Sequence, residues 1–268
     1  SLWGSGYLPS VYQGVQCRSE GEPVLYLDNP PGVSRDLRRR SLDALDKLNA
    51  SIADEVGDPE TVTRVSQYEM AYRMQSSATD AFDISKEPEW VHQLYGTQPG
   101  KEAFANNCLL ARRLVDHGVR FVQVQLGGWD THYDNFTGVE GRCREFDRAY
   151  AALITDLEKR GKLEETLVVV ATEFGRTPEI NTDHNGGRDH HPSAFSCLLA
   201  GGGVKGGYKH GLTDSSGSKV KDGMVTVQDF NATIAHALGL YTTQIVMSPS
   251  GRPFKVADKG EAVKEVFA

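Results

Sequence analysis

No stretch of this chain approaches the roughly 18 consecutive apolar residues of a membrane-spanning helix, and its 268 residues have a mean hydropathy of −0.42. Cysteine is scarce. Cys17, Cys108, Cys143 and Cys197 are widely scattered and none forms a CxxC pair, which argues against a disulfide-dense scaffold and a thiolate zinc site. Cys108 and Cys197 sit in apolar runs and read as buried thiols. Basic charge is in deficit: 29 Lys plus Arg stand against 36 Asp plus Glu, a net charge of −7. Without a basic stripe, a nucleic-acid-binding surface is not expected. The GxSxG elbow of serine hydrolases is absent. The glycine turn Gly201–Gly207 lacks the GK[ST] ending of a phosphate loop and reads as a plain connector. Neither an internal repeat nor a low-complexity linker is found. The chain opens at Ser1 without an initiator Met or a signal-like segment, as expected of a processed or truncated piece of a longer protein.

What remains is an ordinary globular composition, 39% apolar and 24% charged. Residues 1–33 are rich in Gly, Pro and Tyr and read as extended surface chain. From Ser34, Leu37, Leu42, Leu45, Leu48 and Ile52 repeat at near-helical spacing, with Arg38–Arg40 as a solvated face. Asp58-Pro59 opens a second helix to about Ser77. Shorter helical patterns follow at 85–95 and 100–117, the latter stopped by Gly118. Val119–Leu126 alternates strictly and predicts a strand. A helix is expected at 139–160, and Thr166–Thr172 reads as a buried parallel strand. Ser193–Ala200 predicts a third strand and Val227–Leu240 a last helix. This order predicts an α/β fold with a mainly parallel sheet flanked by helices. One domain over 1–268 is expected, with an extended and helical elaboration over 1–100 and the core over 101–268.

Sites in open α/β sheets lie beyond the carboxyl ends of the strands, so the loops after each strand carry the argument. The first contains Asp130, His132 and Asp134 at every second position. Two readings stand: a divalent-ion site, or a turn whose Asp and Asn bond their own backbone. The second loop opens with Glu173, placed where a carboxylate needs a partner or a metal. Arg176 is either that partner or a fork for sulfate or phosphate oxygens. The third cluster, Asp183 to His191, packs three histidines and two aspartates into nine positions of a chain with eight histidines. His117 and His236 fall within helical patterns and read as structural.

The stretch Phe146–Pro178, with Thr166-Leu167-Val168-Val169-Val170-Ala171-Thr172-Glu173-Phe174-Gly175 at its centre, resembles a signature of the alkaline phosphatase and sulfatase superfamily. Leu198–Gly207 and Val227–Leu240 resemble that superfamily's later strand, turn and helix, in the right order. A closer resemblance covers nearly the whole chain. It rests on Leu8-Pro9-Ser10-x-x-Gln13-Gly14, Tyr68–Gln75, Asn107–Leu114, Gly128-Trp129-Asp130-Thr131-His132, Glu173–Pro178 and Gly187-Arg188-Asp189-His190. By these motifs the chain resembles the domain-of-unknown-function family fifteen-oh-one, a sulfatase-like group of exported bacterial proteins.

The resemblance implies an alkaline phosphatase/sulfatase-like core and an exported, periplasmic location. It implies Asp130 and His132, with Asp134, at one metal, Glu173 at a second, and His190 or His191 as the late histidine ligand. Arg176 or Arg188 would bind the anion. The superfamily's "DH" pair is Glu173-Phe174 here, which removes one imidazole; Asp183-His184 stands some ten residues further on. The superfamily's first strand and its nucleophile have no counterpart, as if this were the C-terminal two thirds of a longer protein. The function implied is hydrolysis of phosphate or sulfate esters with a divalent ion, zinc or calcium before manganese or iron, on an anionic small-molecule or glycan substrate. The rival expectation is a non-catalytic relative that binds an anionic glycan or a partner protein.

Overall fold

Ser34 sets the start of the first helix: its hydroxyl accepts from Leu37 N at 3.1 Å, and α1 runs Arg35–Val56. The computed structural model describes residues 13–18, 24, 29–56, 65, 67–73, 75, 79–248 and 251–268. The chain divides into two compact units, residues 1–124 and 125–268.

In the first unit, Arg39 and Arg40 form i,i+4 pairs with Asp43 (2.7 Å) and Asp36 (3.1 Å), the pattern of a solvated helix face. Arg39 also forks onto Glu69 at 3.0 and 2.6 Å. Of the stripe expected to face inward, Leu42 is buried, while Leu37, Leu45, Leu48 and Ile52 are exposed. Residues 67–73 are helical, and the rest of the helix expected from Pro59 to Ser77 falls largely outside the described residues. α2 (Thr79–Phe82), a 3-10 turn (Ile84–Lys86), α3 (Glu89–Tyr95) and α4 (Phe104–Asp116) follow. α3 ends at Gly96, whose φ of 75° is the left-handed conformation a helix stop needs. Val91, Tyr95 and Leu109 are fully buried, and Ala81 and Phe82 pack on Leu110 and Leu114. Cys108 is buried as expected, and burial pushes its thiol up to about 12, so it behaves as a packing residue.

α4 also buries two charges that its periodicity did not announce. Arg112 and Arg113 both reach Glu87, whose side chain is 7% exposed, Arg112 at 2.7 Å. Arg113 adds bonds to the carbonyls of Ala81 (3.0 Å) and Asp80 (2.5 Å), and Arg112 pairs with Asp116 at 2.8 Å. Burial would raise the Glu87 carboxyl, but the two guanidinium groups outweigh it and hold the group below the usual range.

The predicted strand Val119–Leu126 is not one: it carries no ladder among the described residues. Its alternation survives in burial, with Val122, Val124 and Leu126 half-buried and Phe121, Gln123 and Gln125 exposed. Alternation predicts which face packs, but a strand needs a hydrogen-bonded neighbour as well.

The second unit begins with the loop to Asp134 and α5 (Asn135–Lys159). β1 (Val168–Val170) pairs with β4 (Leu198–Ala200), Val168 opposite Ala200. The other two-stranded ladders are β2 (Gly175–Arg176) with β3 (His190–His191), β5 (Leu212–Thr213) with β6 (Val220–Asp222), and β7 (Ile245–Met247) with β8 (Pro253–Lys255). All four described pairs are antiparallel. The glycine turn after β4 is a tight connector: Gly201 has a φ of +70°, and a Cβ there would lie 2.3 Å from Thr166 O. α6 (Val227–Ala237) starts with a capping box, Thr226 and Asp229 each bonding the other's backbone. No helix among the described residues is long and apolar enough to cross a membrane.

Candidate metal centre

The loop 127–134 and the β2–β3 hairpin are joined backbone to backbone. Arg188 N donates to Thr131 O at 3.1 Å, and Gly187 lies so close to His132 that a Cβ would sit 1.7 Å from the His132 carbonyl oxygen. Glycine is the residue that allows this approach. Thr131 is buried and its hydroxyl accepts from Asn135 Nδ2 at 2.6 Å, which ties the loop to the first turn of α5. Within the hairpin, Thr177 N donates to Asp189 O at 2.9 Å, and Asp189 N donates to Thr177 Oγ1 at 3.1 Å.

The β2–β3 register sets Arg176 opposite His190, so both side chains leave on one face. They converge on Asp130. Arg176 Nη2 donates to Asp130 Oδ1 at 2.5 Å, and His190 Nε2 stands 3.0 Å from the same oxygen. His132 Nε2 is 3.1 Å from Asp130 Oδ1 and 3.1 Å from His190 Nε2. One carboxylate oxygen and two imidazole nitrogens thus form a nearly equilateral triangle. The other nitrogen of the His132 ring has a partner too, with Nδ1 2.8 Å from Asp189 Oδ1. Phe174 stacks on the His190 ring at 4.1 Å.

Charge at the site follows from these contacts. The Arg176 guanidinium first, and His190 second, hold the Asp130 carboxyl down at about 2, so it is an anion at any physiological pH. Arg176 also donates to Arg188 O and Trp129 O, both at 3.0 Å. It therefore clamps the loop of Asp130 and the hairpin of His190 to each other rather than pointing its fork at solvent. Arg188 donates to Thr177 O at 2.8 Å and lies over the Phe136 ring at 5.6 Å.

The donors fit a metal ion. Ligands held by one ion at roughly 2.0–2.2 Å lie about 3 Å apart, as these three do. Two imidazoles and one carboxylate suit zinc, manganese or iron, whereas calcium prefers an all-oxygen shell at longer distances. With Nδ1 turned to the Asp189 carboxylate, Nε2 is the His132 nitrogen that faces Asp130 and His190.

The remaining sequence candidates lie elsewhere. His191 is next to His190 and so leaves on the opposite face of the strand, where Nε2 bonds Ser218 O at 2.9 Å. Asp134 sits in a left-handed turn (φ 47°) and accepts from Asn185 Nδ2. Glu173 is exposed and outside the triangle. Asp183 and His184 belong to a 3-10 turn, Thr182–His184; the side chain of His184 lies outside the described residues. Sequence reasoning missed Asp189, Gly187 and Thr131. The first two stand inside the motif Gly187-Arg188-Asp189-His190, which was the available signal.

The family described as protein of unknown function (DUF1501) matches residues 1–267, and the chain belongs to that family. No curated protein and no solved structure matches the chain.

Proposed function

We propose that this chain carries the divalent-metal site of a hydrolase acting on phosphate or sulfate esters, a sulfatase-like member of the alkaline phosphatase superfamily. The mainly parallel α/β sheet and the exported, periplasmic location belong to the same proposal and rest on the sequence resemblance. The observation that carries the metal reading is the triangle of Asp130 Oδ1, His132 Nε2 and His190 Nε2, with Asp130 and His190 open to solvent. Those three residues would hold the ion, with zinc, manganese or iron favoured over calcium by the donor set. A divalent ion supplies Lewis acidity toward an ester oxygen. The chain's own groups prepare the place. Arg176 keeps Asp130 deprotonated and fixes both loops by their carbonyls, and Phe174 sets the plane of His190. Of the two arginines expected to meet an anionic small-molecule or glycan substrate, Arg188 has the freer fork, since Arg176 is committed to three protein oxygens.

A second reading, a non-catalytic relative that binds an anionic glycan or a protein partner, is favoured by Phe174. The superfamily places an imidazole ligand there, and here an aromatic ring stacks on a ligand instead.

Elemental mass spectrometry of protein purified without chelator tests the metal site. Near-stoichiometric metal is expected in the wild type and in His191→Ala, and its loss in Asp130→Ala. A metal-free wild type after reconstitution would overturn the site. Turnover of phosphate or sulfate esters by the loaded protein separates the hydrolase from the binder: bound metal with no turnover favours the latter.

A further inference from the structure

His132 is held at both nitrogens by consecutive residues of one strand entry. Asp189 Oδ1 lies 2.8 Å from Nδ1, and His190 Nε2 lies 3.1 Å from Nε2. An imidazole ligates through a nitrogen that carries no proton, so the tautomer decides which nitrogen is available. A carboxylate has no hydrogen to donate and can only accept. Asp189, at 2.8 Å, is the nearer of the two carboxylates flanking the ring and the better acceptor for the single N–H of a neutral imidazole. Nε2 stands 3.1 Å from an Asp130 oxygen that Arg176 already binds, and is the nitrogen turned toward Asp130 and His190. The backbone that carries this carboxylate is fixed, because Thr177 bonds both the N–H and the C=O of Asp189.

We propose that Asp189 is a positioning residue: its carboxylate selects the Nδ1–H tautomer of His132, and so makes Nε2 the metal-binding atom. This inference rests on the metal-site reading above. Asp189 would not itself touch the ion. Its partner is the far nitrogen of a ligand, an arrangement that fixes ring orientation and raises ligand basicity. A single tripeptide, Arg188-Asp189-His190, then delivers one ligand and the group that prepares another.

The test pairs Asp189→Asn and Asp189→Glu with the wild type. Asparagine keeps the size of the side chain but offers an amide N–H to Nδ1, which favours the opposite tautomer, as the equivalent change does in serine-protease triads. Two readouts are needed. Nitrogen NMR of metal-free protein with labelled histidine reports the His132 tautomer directly. Calorimetric titration with zinc reports affinity. Expected are the Nδ1–H tautomer in the wild type, a shift toward Nε2–H in Asp189→Asn, and an affinity loss of about 10–100-fold. Asp189→Glu should restore the tautomer and part of the affinity. An unchanged tautomer and affinity in Asp189→Asn would overturn the inference, as would a loss of affinity without any change of tautomer. If the wild type binds no zinc, the metal-site reading falls. The tautomer readout still decides whether Asp189 controls His132.

Discussion

At the scale of single residues, the site is organised around Asp130. Three nitrogens approach its Oδ1, and the closest belongs to an arginine that also grips two backbone carbonyls. This makes Arg176 an electrostatic as well as a mechanical part of the site. Its removal has a measurable sign. The folded-state value of Asp130 lies at about 2, below the roughly 3.9 of an unfolded aspartate. The stabilisation from its charged contacts is therefore complete above pH 4 or so and fades as pH falls from there toward 2. In Arg176→Met the Asp130 carboxyl should titrate closer to the ordinary value, read by carboxyl-carbon NMR. A titration still centred near 2 would show that His132 and His190 alone hold the anion. Exposure of Asp130 means that the global stability effect is small.

At the scale of elements, alternation along a two-residue strand decides which histidine joins Asp130 and His132. β3 offers two histidines, and its pairing with β2 sends His190 to Asp130 and His191 to Ser218 O. No reading of spacing distinguishes the two without the register. The backbone of the hairpin comes close to the loop of Asp130 and His132 at Gly187, beside the Arg188 N–H to Thr131 O bond. Gly187→Ala should push the two loops apart, destabilising the second unit by about 1–3 kcal/mol, the usual cost of overpacking. The same change should weaken metal binding. Denaturant unfolding together with zinc titration checks both, and a variant that loses neither would show that the loops tolerate a wider gap.

At the scale of the whole molecule, the candidate site lies in the second unit and a buried ion cluster in the first. In the first unit, Glu87 bridges Arg112 and Arg113, which also reach Asp116 and the carbonyls of Ala81 and Asp80. Glu87→Ala would leave two buried guanidinium groups without this carboxylate and should cost about 3–5 kcal/mol, measured by urea unfolding. A loss below about 1 kcal/mol would mean that Asp80, Asp116 and water replace it. Helix placement at this scale was largely legible. The patterns at 34–52, 100–117, 139–160 and 227–240 correspond to α1, α4, α5 and α6, because 3.6-residue periodicity and capping are local. Strand pairing was not, and Val119–Leu126 shows why. Its pattern is as regular as any in the chain, but the partner that makes a strand is remote in sequence.

The sequence by itself determined the helices and their stops, the acidic balance, the family and the loops that carry chemistry, since each depends on residues within a few positions of one another. The tertiary structure alone decided that Asp130, His132 and His190 meet while Asp134, Glu173 and His191 do not. It also turned Arg176 from an expected anion fork into a clamp, and brought Asp189 to His132 across 57 positions of chain. Those outcomes depend on strand register and on one close glycine contact. Both are fixed by backbone hydrogen bonds between segments that side-chain identity along the chain does not specify.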